Sequence, residues 1–142
     1  MSRILFIGES PSKTGDGNPL TGKSGKFLAE LCGQSHEEFL LEHRVHNYFN
    51  EEGAVVNPPS TIMCWSGIDL IVVLGDKVAA ALSGWIPRNY DLYKIYFEKS
   101  MYGDVKCIVV IPHPSKKNRH WNIEQNVINE KEILQVLCQL FR

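Results

Sequence analysis

The sequence has no C-x-x-C pair, no apolar run longer than five residues and no excess of either charge. Each absence excludes a class of protein. The four cysteines, Cys32, Cys64, Cys107 and Cys138, are 32, 43 and 31 residues apart among apolar neighbours. That pattern fits buried thiols in a reducing compartment, not metal ligands, an iron–sulfur cluster or a disulfide framework. Apolar runs of five are about a quarter of what a membrane-spanning helix needs, so no membrane partner is expected. A net charge of −1 and a pI near 6.5 remove any global basic footprint, and a nucleic-acid contact would have to be local. Repeats, low-complexity tracts and linkers are missing, and residues 3–7 enter a strand pattern with no signal peptide ahead of them. What is present is ordinary for one globular domain. The 142 residues are 44% apolar and 22% charged, enough for a single core that buries about two-thirds of the unfolded surface. The expectation is one domain over residues 1–142, cytoplasmic and monomeric, with no metal and no cofactor.

Punctuation along the chain gives the class. Residues 3–7 (RILFI) form a short apolar run bounded by Gly8, as a buried parallel strand does. Ser24 is placed to cap a helix carrying Phe27, Leu28, Leu31 and Cys32 on one face, with Gly33 as its stop. Ser35-His36-Glu37-Glu38 is a capping box for a second helix through Leu41. Residues 44–49 (RVHNYF) have strand chemistry, and residues 60–65 fit one helical turn or two. Residues 69–74 (DLIVVL) are the clearest buried strand; Gly75 ends it and Asp76 is placed to cap a helix over 77–82. Tyr93, Ile95 and Phe97 alternate with polar or amphipathic residues as in a strand, and Tyr102-Gly103-Asp104 reads as a turn. A further buried strand at 107–111 (CIVVI) is stopped by Pro112, and Asn122-x-x-Gln125 opens a last helix reaching Phe141. Strands alternating with helices predict an α/β fold, a three-layer α/β/α sandwich around a mainly parallel central sheet.

In such sheets ligands bind beyond the carboxyl ends of the strands. The stretch from Gly8 to Leu28 follows the first strand and holds five of the eleven glycines, two of the seven prolines and three lysines. Within it, Gly17 to Ser24 spells G-x-x-x-x-G-K-S, the phosphate loop in which Lys23 would reach phosphates and Ser24 a Mg²⁺ ion. That loop should follow a strand directly, yet nine residues separate Ile7 from Gly17, and 12–16 (SKTGD) is no strand. A weaker physical statement survives: the helix start at Ser24, with Lys23 and Lys26, suits an anion.

The other strand ends carry Asn47 and Asn50, Gly75-Asp76, and His113-Pro114-Ser115. Taken in order, four segments resemble the uracil-DNA glycosylase superfamily. The nearest pattern is a bacterial and archaeal family whose first motif runs roughly GEAPG, a polar gap, then G-x-P-F-x-G-x-A-G-x-L. Here it reads Gly8-Glu9-Ser10-Pro11-Ser12, a shorter gap, and Gly17 through Leu28. His46-Asn47-Tyr48, the strand–glycine–helix segment from Val73 to Ala79, and Ile111-Pro112-His113-Pro114-Ser115 follow. The resemblance implies a uracil-DNA glycosylase-like fold and hydrolysis of an N-glycosidic bond in DNA, of a base that is single-stranded or mispaired, in the cytoplasm or at the nucleoid. It implies Glu9 as the water-activating or cation-stabilising carboxylate and His113 as the stabiliser of the leaving base. Asn47, Leu20, Ser10 and Tyr48 would line the base pocket; Lys23, Ser24, Ser115, Lys116, Lys117 and Arg119 would meet phosphates.

These residue types suit that chemistry without the family name. Breaking the bond develops an oxocarbenium-like sugar and a base anion; a carboxylate answers the first and a hydrogen-bond donor the second. An Asn side chain offers donor and acceptor together and can read a base edge once the base is flipped out. A structural reading stands beside each assignment: a turn cap for Glu9, a proline-held histidine for His113, a turn former for Asn47, core packing for Trp121. His36, His43 and His46 are expected on the surface or on helix flanks. The sequence departs from the family pattern at Leu20, where an aromatic that stacks on the base is usual, and in lacking paired cysteines for a cluster. Tyr48 or Phe49 can replace that aromatic. A non-catalytic nucleotide or modified-DNA binding module of the same fold is the alternative; a P-loop NTPase is a more distant one.

Overall fold

The computed structural model describes residues 1–9, 18–62, 65–100, 102–115 and 118–142. The expectations at Ser10, Lys116 and Lys117 lie outside these residues. In chain order the described elements are β1 (Ile4–Gly8), α1 (Lys23–Leu31), α2 (His36–Glu42), β2 (Arg44–Asn47), α3 (Pro59–Ile62), β3 (Leu70–Leu74) and α4 (Asp76–Ala81). They continue with β4 (Ile95–Lys99), β5 (Val105–Ile111), a 3₁₀ turn (Arg119–Asn122) and α5 (Glu124–Leu140).

The strands order as β2-β1-β3-β5-β4. β1, β2, β3 and β5 are parallel, and β4 returns antiparallel along β5. Gly8 pairs with Asn47, Ile7 with Val73, and Leu74 with Ile111, so the carboxyl ends of four strands finish level. The chain leaves β1 toward β2 and then crosses back to β3 on the other side, which makes the β1–β3 boundary the topological switch point.

The alternation of the strands builds two cores. Ile4, Phe6, Val72, Leu74, Val109 and Ile111 pack with Phe27, Leu28, Leu31, Phe39, Leu134 and Leu137 beneath α1, α2 and α5. Leu5, Ile7, Ile71, Val73, Ile108 and Val110 pack with Ile62, Val78 and Leu82 on the α3 and α4 side. The three-layer α/β/α architecture and its mainly parallel sheet are as the pattern predicted. Among the described residues no helix is long and apolar enough to cross a membrane.

Three caps differ from the sequence reading. Gly22, not Ser24, is the N-cap of α1; Gly75, not Asp76, that of α4; Ile123, not Asn122, that of α5. In the first two the chain makes a sharp turn before the helix, and a glycine takes the bend so that the polar residue falls inside the first turn. Ser35 does cap α2, its hydroxyl accepting from Glu38 N at 3.1 Å. His43 takes the helix-flank alternative, as the C-cap of α2. It is 1% exposed, because Ser2 Oγ at 2.6 Å and Gln34 Oε1 at 2.9 Å satisfy both ring nitrogens inside the core.

Glu130 is the strangest core residue: on α5, 0% exposed, its carboxylate oxygens without a hydrogen-bond partner among the described residues. Burial pushes its carboxyl up to about 7, against an opposing pull from the Tyr93 hydroxyl beside it. The native state therefore holds an extra proton between about 4.5 and about 7, and stability falls as pH rises through that window. Glu130→Gln removes the penalty. Chemical-denaturation curves should show the variant gaining stability relative to wild type from about pH 5 to about pH 8, by at most about 3 kcal/mol. A difference that does not change with pH would remove this account of Glu130.

Candidate active site at the switch point

Gly8 and Glu9 leave β1 between the ends of β2 and β3. A Cβ on Gly8 would have Leu20 Cδ2 at 3.6 Å, Leu74 Cδ1 at 3.8 Å and Asn47 Oδ1 at 3.9 Å around it. Gly8 is thus packed by Leu20, Leu74 and the Asn47 amide. Two of these neighbours are held through their backbone carbonyls. The Asn47 carbonyl accepts from Asn57 Nδ2 at 2.5 Å, and the Leu20 carbonyl contacts His36 Nε2 at 2.7 Å. Leu20 itself sits in the left-handed region at φ 55, which costs a branched side chain. His36, expected on a helix flank, is what fastens that turn.

Glu9 follows Gly8 at the end of β1, with its side chain about one-third exposed. Its carbonyl accepts from Phe49 N at 2.8 Å, and its Oε1 pairs with Lys77 Nζ at 3.1 Å. The same ammonium lies 5.5 Å from the Phe49 ring centroid. Lys77 and Phe49 were not placed in the site by the sequence reading as partners of Glu9. The available signal for Lys77 was a lysine in the first helical turn after the Gly75 strand end.

His113 follows β5 and packs on Gly75. A Cβ on Gly75 would come within 3.1 Å of His113 Cβ, and Gly75 has φ 94, so the position requires glycine twice over. Burial holds the His113 imidazole below its ordinary value, and the nearby Glu9 carboxylate opposes this. The ring is therefore neutral near pH 7, able to donate one N–H without carrying charge. Its carbonyl is fixed by Trp121 Nε1 at 2.9 Å, Ser115 N at 2.8 Å and Asn118 Nδ2 at 3.4 Å. Trp121 is buried, edge-on to Phe27 at 5.2 Å, as its packing reading expected.

The structure brings together Glu9, Leu20, Asn47 and His113 near the ends of β1, β2 and β5. Tyr48 is not with them. It points into the core under α4, its hydroxyl toward Ala81 O at 3.5 Å, because consecutive strand residues face opposite sides of the sheet. Lys23 is exposed and Ser24 half-buried in the first turn of α1; Ser115 is half-buried and Arg119 exposed in the segment after His113. Among the described residues no group of three or more His, Cys, Asp or Glu is arranged to hold a metal ion. Cys32 and Cys138 are buried and Cys107 is half-buried in β5.

The arrangement can place a carboxylate and a neutral hydrogen-bond donor on two sides of a bond, with an amide to read one reactant. The sequence model described as the Uracil DNA glycosylase superfamily matches residues 1–140. No curated protein matches the chain.

Proposed function

The chain belongs to the uracil DNA glycosylase superfamily, and from that premise we propose that it hydrolyses the N-glycosidic bond of uracil or a related damaged or modified base in DNA. The observation that carries this reading is that Glu9, Asn47 and His113 stand just beyond or at the carboxyl ends of three parallel strands of one sheet, with the Asn47 amide oxygen 3.9 Å from a Cβ built on Gly8.

The base, flipped out of the strand, binds beyond the carboxyl ends of β1 and β2, where Asn47 stands. The Asn47 amide presents an acceptor to the ring N–H and a donor to the adjacent carbonyl oxygen of a uracil-type edge. As the bond to the sugar breaks, the electron pair leaves with the base, and the His113 N–H donates to the base oxygen that gathers the charge. The Glu9 carboxylate faces the cationic sugar and takes a proton from the water whose oxygen bonds to the anomeric carbon. Lys77 orients the Glu9 carboxylate. Phe49, adjoining Glu9 and carrying the Lys77 ammonium on its face, supplies the aromatic surface that Leu20 does not. Base–aromatic stacking is worth about 1–3 kcal/mol, so its relocation shifts which bases are accepted. Lys23, Ser24, Ser115 and Arg119, with Lys116 and Lys117 and with Ser10 at the pocket, serve phosphate and base contacts.

The test is a panel of oligonucleotides with uracil, hypoxanthine, xanthine or modified pyrimidines, single-stranded and mispaired. Alkali-labile abasic sites and free base are expected for at least one of them. Saturable binding with no cleavage would select the binding module instead, and neither binding nor cleavage would overturn both readings.

A further inference from the structure

The sheet has one antiparallel strand, β4, and it stands last in the order β2-β1-β3-β5-β4, with no described strand on its far side. Nothing in the proposed activity uses it. Ser100 N donates to Asp104 O at 2.7 Å across the hairpin. By the two-residue period of an antiparallel ladder, Glu98 and Tyr96 also turn their backbone groups to β5. Ile95, Phe97 and Lys99 therefore aim their N–H and C=O groups outward. Their side chains are exposed as well, Phe97 to 68% and Ile95 to 37%. An edge of this kind is a template for another strand.

A groove of about 710 Å³ is lined by Tyr96, Phe97 and Glu98 of β4 and by Trp85, Ile86 and Arg88 from the segment after α4. Consecutive strand residues point to opposite faces, so a space touching both Tyr96 and Phe97 opens at the edge of the sheet rather than over one face. The strand itself says what fits there. Among the described residues neither Lys94 nor Glu98 makes an ion pair. The Lys94 ammonium lies 5.4 Å from the centroid of the Tyr96 ring, on the face that Tyr96 shares with Glu98.

We propose that the β4 edge docks a second copy of this chain, β4 against β4, about a two-fold axis through Tyr96. Laid antiparallel in that register, Lys94 falls opposite Glu98 twice, Ile95 opposite Phe97 twice, and Tyr96 opposite itself. The Ile95–Phe97 pairs are the ones whose backbone groups face outward, so each exchanges both hydrogen bonds. Apolar contacts gather on the α5 face of the sheet, and the charges and tyrosines on the α4 face. The neighbouring two-fold registers, centred on Ile95 or Phe97, put Lys94 or Glu98 opposite Tyr96 and make no opposite-charge pair within the strand. The contact is isologous: it uses the same edge of both copies and closes at two. It is also short, because Tyr93 at φ 66 ends the extended backbone just before Lys94. The association is therefore micromolar rather than obligate. It departs from the monomer expected of the sequence and does not rest on DNA cleavage.

Sedimentation velocity of the full chain from about 1 µM to about 500 µM tests it. A reversible dimer is expected, weakened by salt because its charge pairs are exposed. Lys94→Glu and Glu98→Lys alone should each raise Kd about tenfold by setting like charges opposite, and the two together should return it to within about threefold of wild type. The axis is read separately. Cα atoms opposite each other in a non-hydrogen-bonded pair lie about 4.5 Å apart, within disulfide reach. Tyr96→Cys should therefore give a linked dimer on mild oxidation, mapped to residue 96 by mass spectrometry, whereas Ile95→Cys and wild type should not. Should one variant fail to fold by circular dichroism, the remaining readings decide. A chain that stays monomeric across the range, leaving the edge to solvent or to a foreign strand, would overturn the proposal. So would a dimer indifferent to both charge reversals, or one that Tyr96→Cys fails to trap.

Discussion

Glu9→Gln is expected to lower kcat for base release by roughly 10²–10⁴-fold while leaving KM within a few-fold of wild type, because general-base and charge-stabilising work of this kind is worth about that much. The amide keeps the shape of the side chain and its contact to Lys77, now 3.1 Å from Oε1. What it loses is the negative charge that the developing sugar cation needs and the basicity that the attacking water needs. Asn47 and Leu20 are unchanged, so substrate affinity should survive. His113→Ala is the companion, with a loss of roughly 10²–10³-fold in kcat, the usual cost of removing one donor to a developing anion. Single-turnover cleavage of the best substrate from the oligonucleotide panel measures both. Rates for both variants within threefold of wild type would remove the assignments, though not the family.

Gly25→Ala carries the largest structural effect. The new Cβ would stand 1.7 Å from the Leu20 carbonyl oxygen and 2.5 Å from its carbon, both backbone atoms. Neither can yield cheaply, since that carbonyl is held by His36 Nε2 at 2.7 Å and Leu20 is already at φ 55. Ordinary overpacking costs about 1–3 kcal/mol, and a backbone overlap this deep should exceed that range or force the turn open. If the turn opens, Leu20 moves away from Gly8, and a shift of about 1 Å in a site can cost about 10²-fold in rate. The control is Gly53→Ala. Gly53, unlike the helical Gly25, is at positive φ, and no described atom lies within 4 Å of a Cβ there, so it should lose only the roughly 1–2 kcal/mol of left-handed strain. Urea denaturation of the two variants compares them directly. Equal stabilities would show that the close approach of α1 to the Leu20 turn is not a constraint.

The site was legible to different depths at different residues. Glu9, Asn47 and His113 were found because a parallel sheet leaves its polar residues just beyond the strand ends, and each stands within two residues of the end of an apolar or β-branched run. Lys77 and Phe49 were not joined to Glu9, since ion pairs and ring contacts across neighbouring strand ends have no fixed spacing in sequence. Tyr48 was placed in the pocket, whereas alternation at the end of β2 sends it to the layer opposite Asn47, into the core beneath α4. His43 was given the surface or a helix flank, and its burial at the flank of α2 was not legible because the Ser2 and Gln34 partners that make it tolerable come from other turns. The P-loop spelling from Gly17 to Ser24 shows the opposite hazard: eight correct letters in a chain whose described strand before it, β1, ends at Gly8.

By itself the sequence determined the layer order, since apolar runs, glycine stops and the switch from period 2 to period 3.6 depend on neighbours along the chain. It also determined which chemical groups stand at the strand ends. The tertiary structure decided the rest. It chose Gly22 and Gly75 over their polar neighbours as caps, set Lys77 against Glu9, and put the Leu20 turn over Gly25. It also set His43, the C-cap of α2, against Cys138 of α5. Each of these depends on two segments far apart in the chain meeting at ångström distances, and that meeting is set by packing density, which no local pattern encodes.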